Sequence, residues 1–368
     1  MLKLSQPNID DAAIAAVVEV LRSGQLVHGQ ECEAFEKELA EYLGCGDVIL
    51  VSSGTSALHV ALMALDIGEG DAVIVPDFTF PATANVVALT GAKPVIVDVL
   101  PGTYTLDRDA LESLVTGWRG PERLRAIMPV HEFGCPADMT SINRIAEAHG
   151  LAVIEDAACA LGATYAGGKA GNLADIGCFS FHPRKTLTTG EGGAIATRHP
   201  ELATRMRRLR NHGMERISSG MQFFEPATNY RLTNFQAALG RQQLPHLDEW
   251  IQTRRDLAKG YLSNLAPLVK QGLLTCPAWD EGHSWQTFMV VLNPSFVRSE
   301  VIAALREHGV ESNLGAQSLS VIGIYGDQAG NCIVGPQLYA SGLALPLFEQ
   351  MSTDDVQKVC TALIAVLG

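Results

Sequence analysis

Lys185 lies in a short polar run, Phe179-Ser180-Phe181-His182-Pro183-Arg184-Lys185, which Thr189-Gly190-Glu191-Gly192-Gly193 closes. A lysine amine is a useful nucleophile only when part of its population is neutral, which desolvation or a cationic neighbour promotes. Arg184 beside it and the apolar Phe179 and Phe181 are expected to supply that setting. Alone, a lysine in a turn reads as an ordinary solvated surface residue. Asp156 changes the weight. The apolar run Val153-Ile154 ends in Glu155-Asp156, followed by the small Ala157 and Ala158. A carboxylate delivered from a strand end beside a lysine loop suits pyridoxal 5′-phosphate, an electron sink whose ring nitrogen is kept protonated by such a group. The plain alternative for Asp156 is a helix or turn cap. Glu155 competes for the role, but in an extended run it faces the opposite side.

Such a cofactor needs a phosphate site. Ser52-Ser53-Gly54-Thr55-Ser56-Ala57 follows an apolar strand and opens a helix, where free backbone N–H groups and hydroxyls make an anion site. An ordinary N-cap is compatible with this. Asp77-Phe78-Thr79-Phe80 closes the next strand, so an aromatic ring there could stack on a planar ligand or pack in the core. His131 and His182 lie near the same edge and read first as hydrogen-bonded structural residues. No Walker A sequence is present and no G-x-G-x-x-G follows the first strand, which disfavours nucleotide triphosphates and dinucleotides.

These residues need a frame. Helical spacing marks 9–22, where Gly24 is the stop, and 30–43. Strands at Val48–Val51, Ala72–Val75, Pro94–Val97, Ala126–Val130 and Ala152–Ile154 alternate with helices at 55–65, 82–90, 107–115 and 138–149. This α/β pattern predicts a largely parallel sheet covered on both faces, with ligands at the carboxyl ends of its strands. Strands Ile176–Phe181 and Gly193–Thr197 flank the lysine loop, and a helix spans about 200–211. Thr233-Asn234-Phe235-Gln236 reads as a capping box opening a long helix that Pro245 kinks or divides. A strand at Trp285–Leu292 and helices at 298–308 and 353–366 follow. The expected division is a large α/β domain over 1–245 and a smaller α+β domain over 246–368.

The 368 residues carry a formal net charge of −13, with 47% apolar and 18% charged residues. That balance fits a well-cored globular protein and opposes binding to nucleic-acid phosphates. Eight scattered cysteines without a C-x-x-C pair argue against zinc or disulfide frameworks. No run is long enough for a membrane span and no secretory signal is visible, so a cytoplasmic location is expected.

In order along the chain, these segments resemble the DegT/DnrJ/EryC1/StrS family of pyridoxal-phosphate enzymes, mostly sugar aminotransferases. The resemblance runs from Ser23-Gly24 through Gly54-Thr55-Ser56-Ala57-Leu58, Thr79-Phe80-Pro81-Ala82-Thr83 and Gly91-Ala92-Lys93-Pro94. It continues through Glu155-Asp156-Ala157-Ala158, the lysine loop, Asn229-Tyr230-Arg231 and Leu345-Pro346-Leu347. It implies the aspartate-aminotransferase-like type I fold and a homodimer with active sites at the subunit interface. Lys185 would carry the cofactor as a Schiff base, and Asp156 would pair with the ring nitrogen. Thr55, Ser56 and Ser180, with Gly54 in the same turn, would hold the phosphate, and Phe80 would cover the ring. Cys159 would touch the 3-hydroxyl at a position where relatives often carry Gln. Asn229 would reach the phosphate of the partner subunit's cofactor, and Arg231 and His182 would face the substrate. Relatives with histidine at the lysine position catalyse dehydration, so an intact lysine implies transamination from L-glutamate to a nucleotide-linked keto-sugar. Amination of a keto-cyclitol, dehydration of a sugar and a non-catalytic pyridoxal-phosphate sensor are the alternatives.

Overall fold

A computed structural model describes residues 1–326 and 332–368. Its centre is a seven-stranded sheet in the order Asp47–Val51, Gly193–Thr197, Ile176–Ser180, Ala152–Asp156, Arg123–Ile127, Asp71–Pro76, Lys93–Val97. The strands are rich in Val, Ile and Ala and almost wholly buried, as a sheet covered on both faces requires. Pairing is parallel from Ile176–Ser180 out to Lys93–Val97, whereas Gly193–Thr197 runs antiparallel to both neighbours. This reversal brings Gly193 opposite both Ser180 and Val51, so the segment after the lysine loop returns to the carboxyl edge of the sheet.

The expected helices form at Asp11–Ser23, Gln30–Leu43, Gly54–Ala64, Ala82–Leu89, Arg108–Gly117 and Met139–His149. Gly24 and Gly44 close the first two with left-handed backbone, at φ 73° and 68°. The strand expected at Ala126–Val130 is regular only over Arg123–Ile127. Beyond it the backbone leaves the ladder toward Glu132, with one bridge from Val130 to Asp156. Phe78–Thr79 pairs with Gln317–Ser318 in a separate two-stranded sheet, so a late segment of the chain is stitched to the turn that follows Asp71–Pro76.

Thr233 opens the helix Asn234–Gln243 with a capping box, and its N–H donates to Gln236 Oε1 at 3.1 Å. Pro245 then divides the helical run. A single 3-10 turn, Leu244–His246, separates that helix from Leu247–Lys270. Leu244, Leu247 and Ile251 pack into the core beside the large sheet. From Leu257 the same helix belongs to a second core, around the small sheet of Leu274–Thr275, Phe288–Leu292 and Gly342–Leu345.

Arg254 ties the long helix to that small sheet. It is 2% exposed and donates to the carbonyls of Trp285, Gln286 and Leu347 and to Glu349 Oε2 at 2.8 Å. Removing one partner of a buried ion pair leaves a charge without compensation. Glu349→Gln is therefore expected to destabilise the protein by about 3 kcal/mol, read as a fall in the denaturant midpoint at unchanged slope.

Candidate active site

A cavity of about 490 Å³ opens at the carboxyl edge of the large sheet, within the size range of small-molecule sites. Lys185, Asp156, Cys159, Gly54, Thr55, Ser180, Phe80 and His182 all line it. These residues come from four different strand ends, and the sheet register brings them together. Asp156 is opposite Cys178 and Ser180 is opposite Gly193.

Asp156, 5% exposed, is gripped at both oxygens. Thr83 Oγ1 donates to Oδ2 at 2.9 Å and Ala158 N–H donates to Oδ1 at 3.1 Å. Burial pushes its carboxyl pKa above the usual range, and those two donors, Lys185 and His131 oppose the rise. Glu155 does face the other way, as alternation requires. It accepts from the N–H groups of Gly171, Leu173 and Ala174 at 2.7, 2.7 and 2.9 Å and pairs with His131 Nε2 at 2.8 Å. Ala137 N–H donates to His131 Nδ1 at 3.0 Å, which leaves the ring proton on Nε2. The Glu155–His131 pair thus braces the strand end, and of these two neighbouring acids it is Asp156 that lines the cavity.

Lys185 departs from expectation in its charge. Phe179 and Phe181 are buried in the core beneath the loop. Around the amine stand Cys159, Asp156 and Glu132, and Nζ donates to Cys159 Sγ at 2.9 Å. Burial by itself would lower the lysine pKa, but these neighbours more than offset it and the ammonium form is favoured. This amine must therefore give up a proton to a base before it can attack a carbonyl carbon.

The turn after the first strand opens a helix, the kind of terminus that can hold an anion. Ser53 caps the helix, and its Oγ accepts from Ser56 N–H at 3.0 Å. Gly54 approaches Ser180 so closely that a Cβ on it would lie 2.8 Å from Ser180 Cβ, so only glycine lets the two arms meet. Ser56 itself is not brought to the cavity. Its N–H is spent on the cap and its hydroxyl on Ser52 and Ser53. Gly54, Thr55 and Ser180 are the groups that remain available. Phe80 is 70% exposed over the cavity, whereas Phe78 is in the core.

Arg231 and Asn229 lie outside this chain's cavity. The Arg231 guanidinium donates to Asn211 Oδ1, and Asn229 Oδ1 accepts from Arg231 N–H at 3.1 Å. Ser318 and Ser320 hold Asp77 from the far side of the 313–317 wall, Ser318 Oγ and Ser320 N–H each donating at 2.7 Å.

The match to known proteins is as extensive as this geometry suggests. The model of the DegT/DnrJ/EryC1/StrS aminotransferase family matches residues 7–364. The chain belongs to that family. Among solved structures, DesV of S. venezuelae, captured with a ketimine intermediate, is 36% identical. It has a TM-score of 0.84 and covers 95% of this chain and 92% of its own. PseC of Helicobacter pylori, an aminotransferase involved in the biosynthesis of pseudoaminic acid, is 26% identical at a TM-score of 0.91, covering 100% and 99%. Spr1654 from Streptococcus pneumoniae has been solved in PLP- and PMP-forms. It is 27% identical at a TM-score of 0.89, covering 100% of this chain and 98–100% of its own. The protein is an aminotransferase with the type I fold of the pyridoxal-phosphate enzymes.

Several residues in and around this cavity were given no role by the sequence reading. Thr83 holds Asp156 from the first turn of a helix, and Thr79 lies behind it at 3.1 Å between hydroxyls. Gln286 forms a wall, its Nε2 donating to Arg184 O at 2.7 Å. Glu132 enters from the irregular end of the Arg123–Ile127 strand.

Thr83 does not itself line the cavity and reaches Asp156 from behind through its hydroxyl. Thr83→Val keeps the shape and removes the donor. Losing a hydrogen bond to a charged group is expected to lower kcat/KM about tenfold to a hundredfold. The donor holds the Asp156 pKa down, so its loss raises that pKa, and activity should fail at a higher pH on the acid side. A pH–rate profile reads both effects.

Proposed function

We propose that this enzyme transfers an amino group from L-glutamate to the carbonyl carbon of a keto-sugar carried on a nucleoside diphosphate. It does so in two half-reactions of a ping-pong cycle, with pyridoxal 5′-phosphate as carrier. The reading rests on the convergence of Lys185, Asp156 and the Gly54-Thr55/Ser180 cradle in one cavity. The donor set fits that cofactor. A lysine Nζ at the cavity, a fixed carboxylate and an anion cradle that a Cβ would fill match its aldehyde, ring nitrogen and phosphate.

When bound on Lys185 as a Schiff base, pyridoxal phosphate supplies an electron sink at the carbon being deprotonated. The chain's own residues do the rest. Asp156 holds a negative charge at the floor of the cavity, aimed by Thr83 and Ala158. Lys185 is the primary amine among the lining residues, so it would hold the cofactor and its Nζ would hold and move the proton taken from the donor's Cα. Phe80 covers one face and excludes water from it. Arg184 and His182, on the open side, offer positive charge and a ring nitrogen to an anionic substrate.

The family and the role of PseC support a sugar acceptor, and the PLP- and PMP-forms of Spr1654 support this cofactor. We take the active unit to be a cytoplasmic homodimer in which Asn229 reaches the second subunit's cofactor. Exposed Leu26, Val27, Met221 and Phe223 are the kind of surface such an interface covers.

The test is spectroscopic. L-glutamate should convert the yellow protein to its pyridoxamine form, and one of a panel of nucleotide-linked keto-sugars should return it. An unchanged spectrum with every donor would reject transamination. Return by free keto-cyclitols alone would move the acceptor to that class.

A further inference from the structure

Besides Asp156, a second buried carboxyl group lines the cavity, and it has no partner. Glu132 is 4% exposed and lines the cavity beside Lys185. Among the described residues its carboxyl makes no hydrogen bond, whereas Glu155 and Asp156 satisfy both of their oxygens. An acid desolvated and unpaired in this way is costly, and such a group is more often a site than a strut.

The backbone around it is held in place. Phe133 has φ 55° and Gly134 φ 95°, so Glu132 sits immediately before a left-handed turn. Left-handed backbone at a phenylalanine persists only where surrounding structure imposes it. Here His131 N–H donates to Asp156 O at 3.0 Å on one side. On the other, Gln286 N–H donates to Phe133 O at 2.9 Å and Ser284 N–H to Gly134 O at 3.0 Å. Glu132 is thereby fixed relative to Asp156.

We propose that Glu132 donates a hydrogen bond to the 3-oxygen of pyridoxal phosphate and so tunes the Schiff base on Lys185. The inference rests on the cofactor reading above. On the cofactor ring, the carbon that joins Lys185 has two neighbours, one bearing the phosphate arm and the other the 3-oxygen. With the phosphate at Gly54, Thr55 and Ser180, the 3-oxygen faces the remaining groups beside Lys185, which are Cys159 and Glu132. Cys159 carries a thiol, which is a weak donor. A protonated carboxyl is a strong one. The charged and titratable groups acting on Glu132 are Lys185 and Asp156, with Cys159 alongside. Burial pushes the Glu132 pKa up, Lys185 pulls it down and Asp156 adds to the rise, leaving it at about 8, so the carboxyl keeps its proton at neutral pH.

The consequence is a shifted titration. A Schiff-base proton is shared with the 3-oxygen, and losing it leaves that oxygen with its full negative charge. A donor to the oxygen therefore favours the deprotonated form and lowers the midpoint. Absorbance titration of purified holoenzyme, without substrate, reads that midpoint directly. Glu132→Leu should raise it by about one pH unit, the tenfold change that an ordinary hydrogen bond carries. Glu132→Gln keeps a neutral donor, and its midpoint should stay within about a third of a unit of wild type. No shift in the leucine variant overturns the proposal. A fall in the glutamine variant overturns it too, because it would mean that an anionic Glu132 had been raising the midpoint. If the leucine variant holds no cofactor, the glutamine variant decides alone. A wild-type protein that forms no yellow, borohydride-reducible adduct would refute the cofactor reading and is distinct from these outcomes.

Discussion

Replacing Lys185 with alanine is expected to abolish transamination, with kcat falling roughly ten thousand-fold or more, the upper range for loss of a positioned acid–base group. The variant loses two functions at once. It cannot hold the cofactor covalently, and it lacks the amine that carries the proton in each half-reaction. The loop itself should survive. The Lys185 N–H to His182 O hydrogen bond at 2.8 Å is backbone to backbone, and Thr188 Oγ1 anchors the loop to Phe181 O at 2.8 Å. Truncation leaves Cys159 without its donor, but a thiol tolerates that loss better than an oxygen would. Two further measurements separate a chemical defect from a folding defect. Thermal melting should stay close to wild type, and a small primary amine added to the assay should restore part of the rate. Lys185→Arg keeps the charge but not the nucleophile and should be equally inactive. Near-normal turnover in either variant would remove Lys185 from the mechanism.

Legibility in the sequence followed chain locality. The lysine loop, the Glu155-Asp156 strand end and the Gly54 turn each announce themselves within a few residues, because each joins an apolar strand to a polar stop. The alternation that separates Glu155 from Asp156 is equally local, and both residues face as that rule requires. Pro245 and the Thr233 capping box act on their own turns and read correctly. Contacts made across the fold were not legible. Thr83 is an ordinary first-turn residue until the sheet places Asp156 73 residues further along the chain within 2.9 Å of it. Glu132 is one acid among 40 acidic residues. Its only local signal is position, between the end of a strand and Gly134, where the backbone turns back on itself. The charge of Lys185 was misread for a related reason. Its sequence neighbours are apolar or basic, whereas its spatial neighbours are Cys159, Asp156 and Glu132. Ser56 shows the reverse error, since a helix-opening serine looks available until the cap claims its N–H.

Asp156→Asn is expected to lower kcat about a hundredfold to a thousandfold while leaving the Lys185 adduct intact, the range seen when one preorganised electrostatic group leaves a desolvated site. The substitution is nearly isosteric, and its hydrogen bonds can be rearranged. Asp156 accepts at both oxygens, from Thr83 Oγ1 and from Ala158 N–H. Asparagine has one oxygen, which Ala158 keeps, so its NH₂ group must face Thr83. The Thr83 hydroxyl can turn to accept from that group and give its own proton to Phe80 O, 3.2 Å away. The contacts with Thr83 and Ala158 can both be kept, and the fold should hold. What disappears is the negative charge, and with it the reason for a cofactor ring nitrogen to stay protonated. Lys185 remains able to form its Schiff base, so borohydride reduction should trap stoichiometric cofactor on the inactive protein. That pairing of outcomes discriminates. Loss of both cofactor and rate would make Asp156 a binding residue only, and a rate within tenfold of wild type would show that its charge is dispensable. Slow turnover with full loading is the result that places the carboxylate in the chemistry itself.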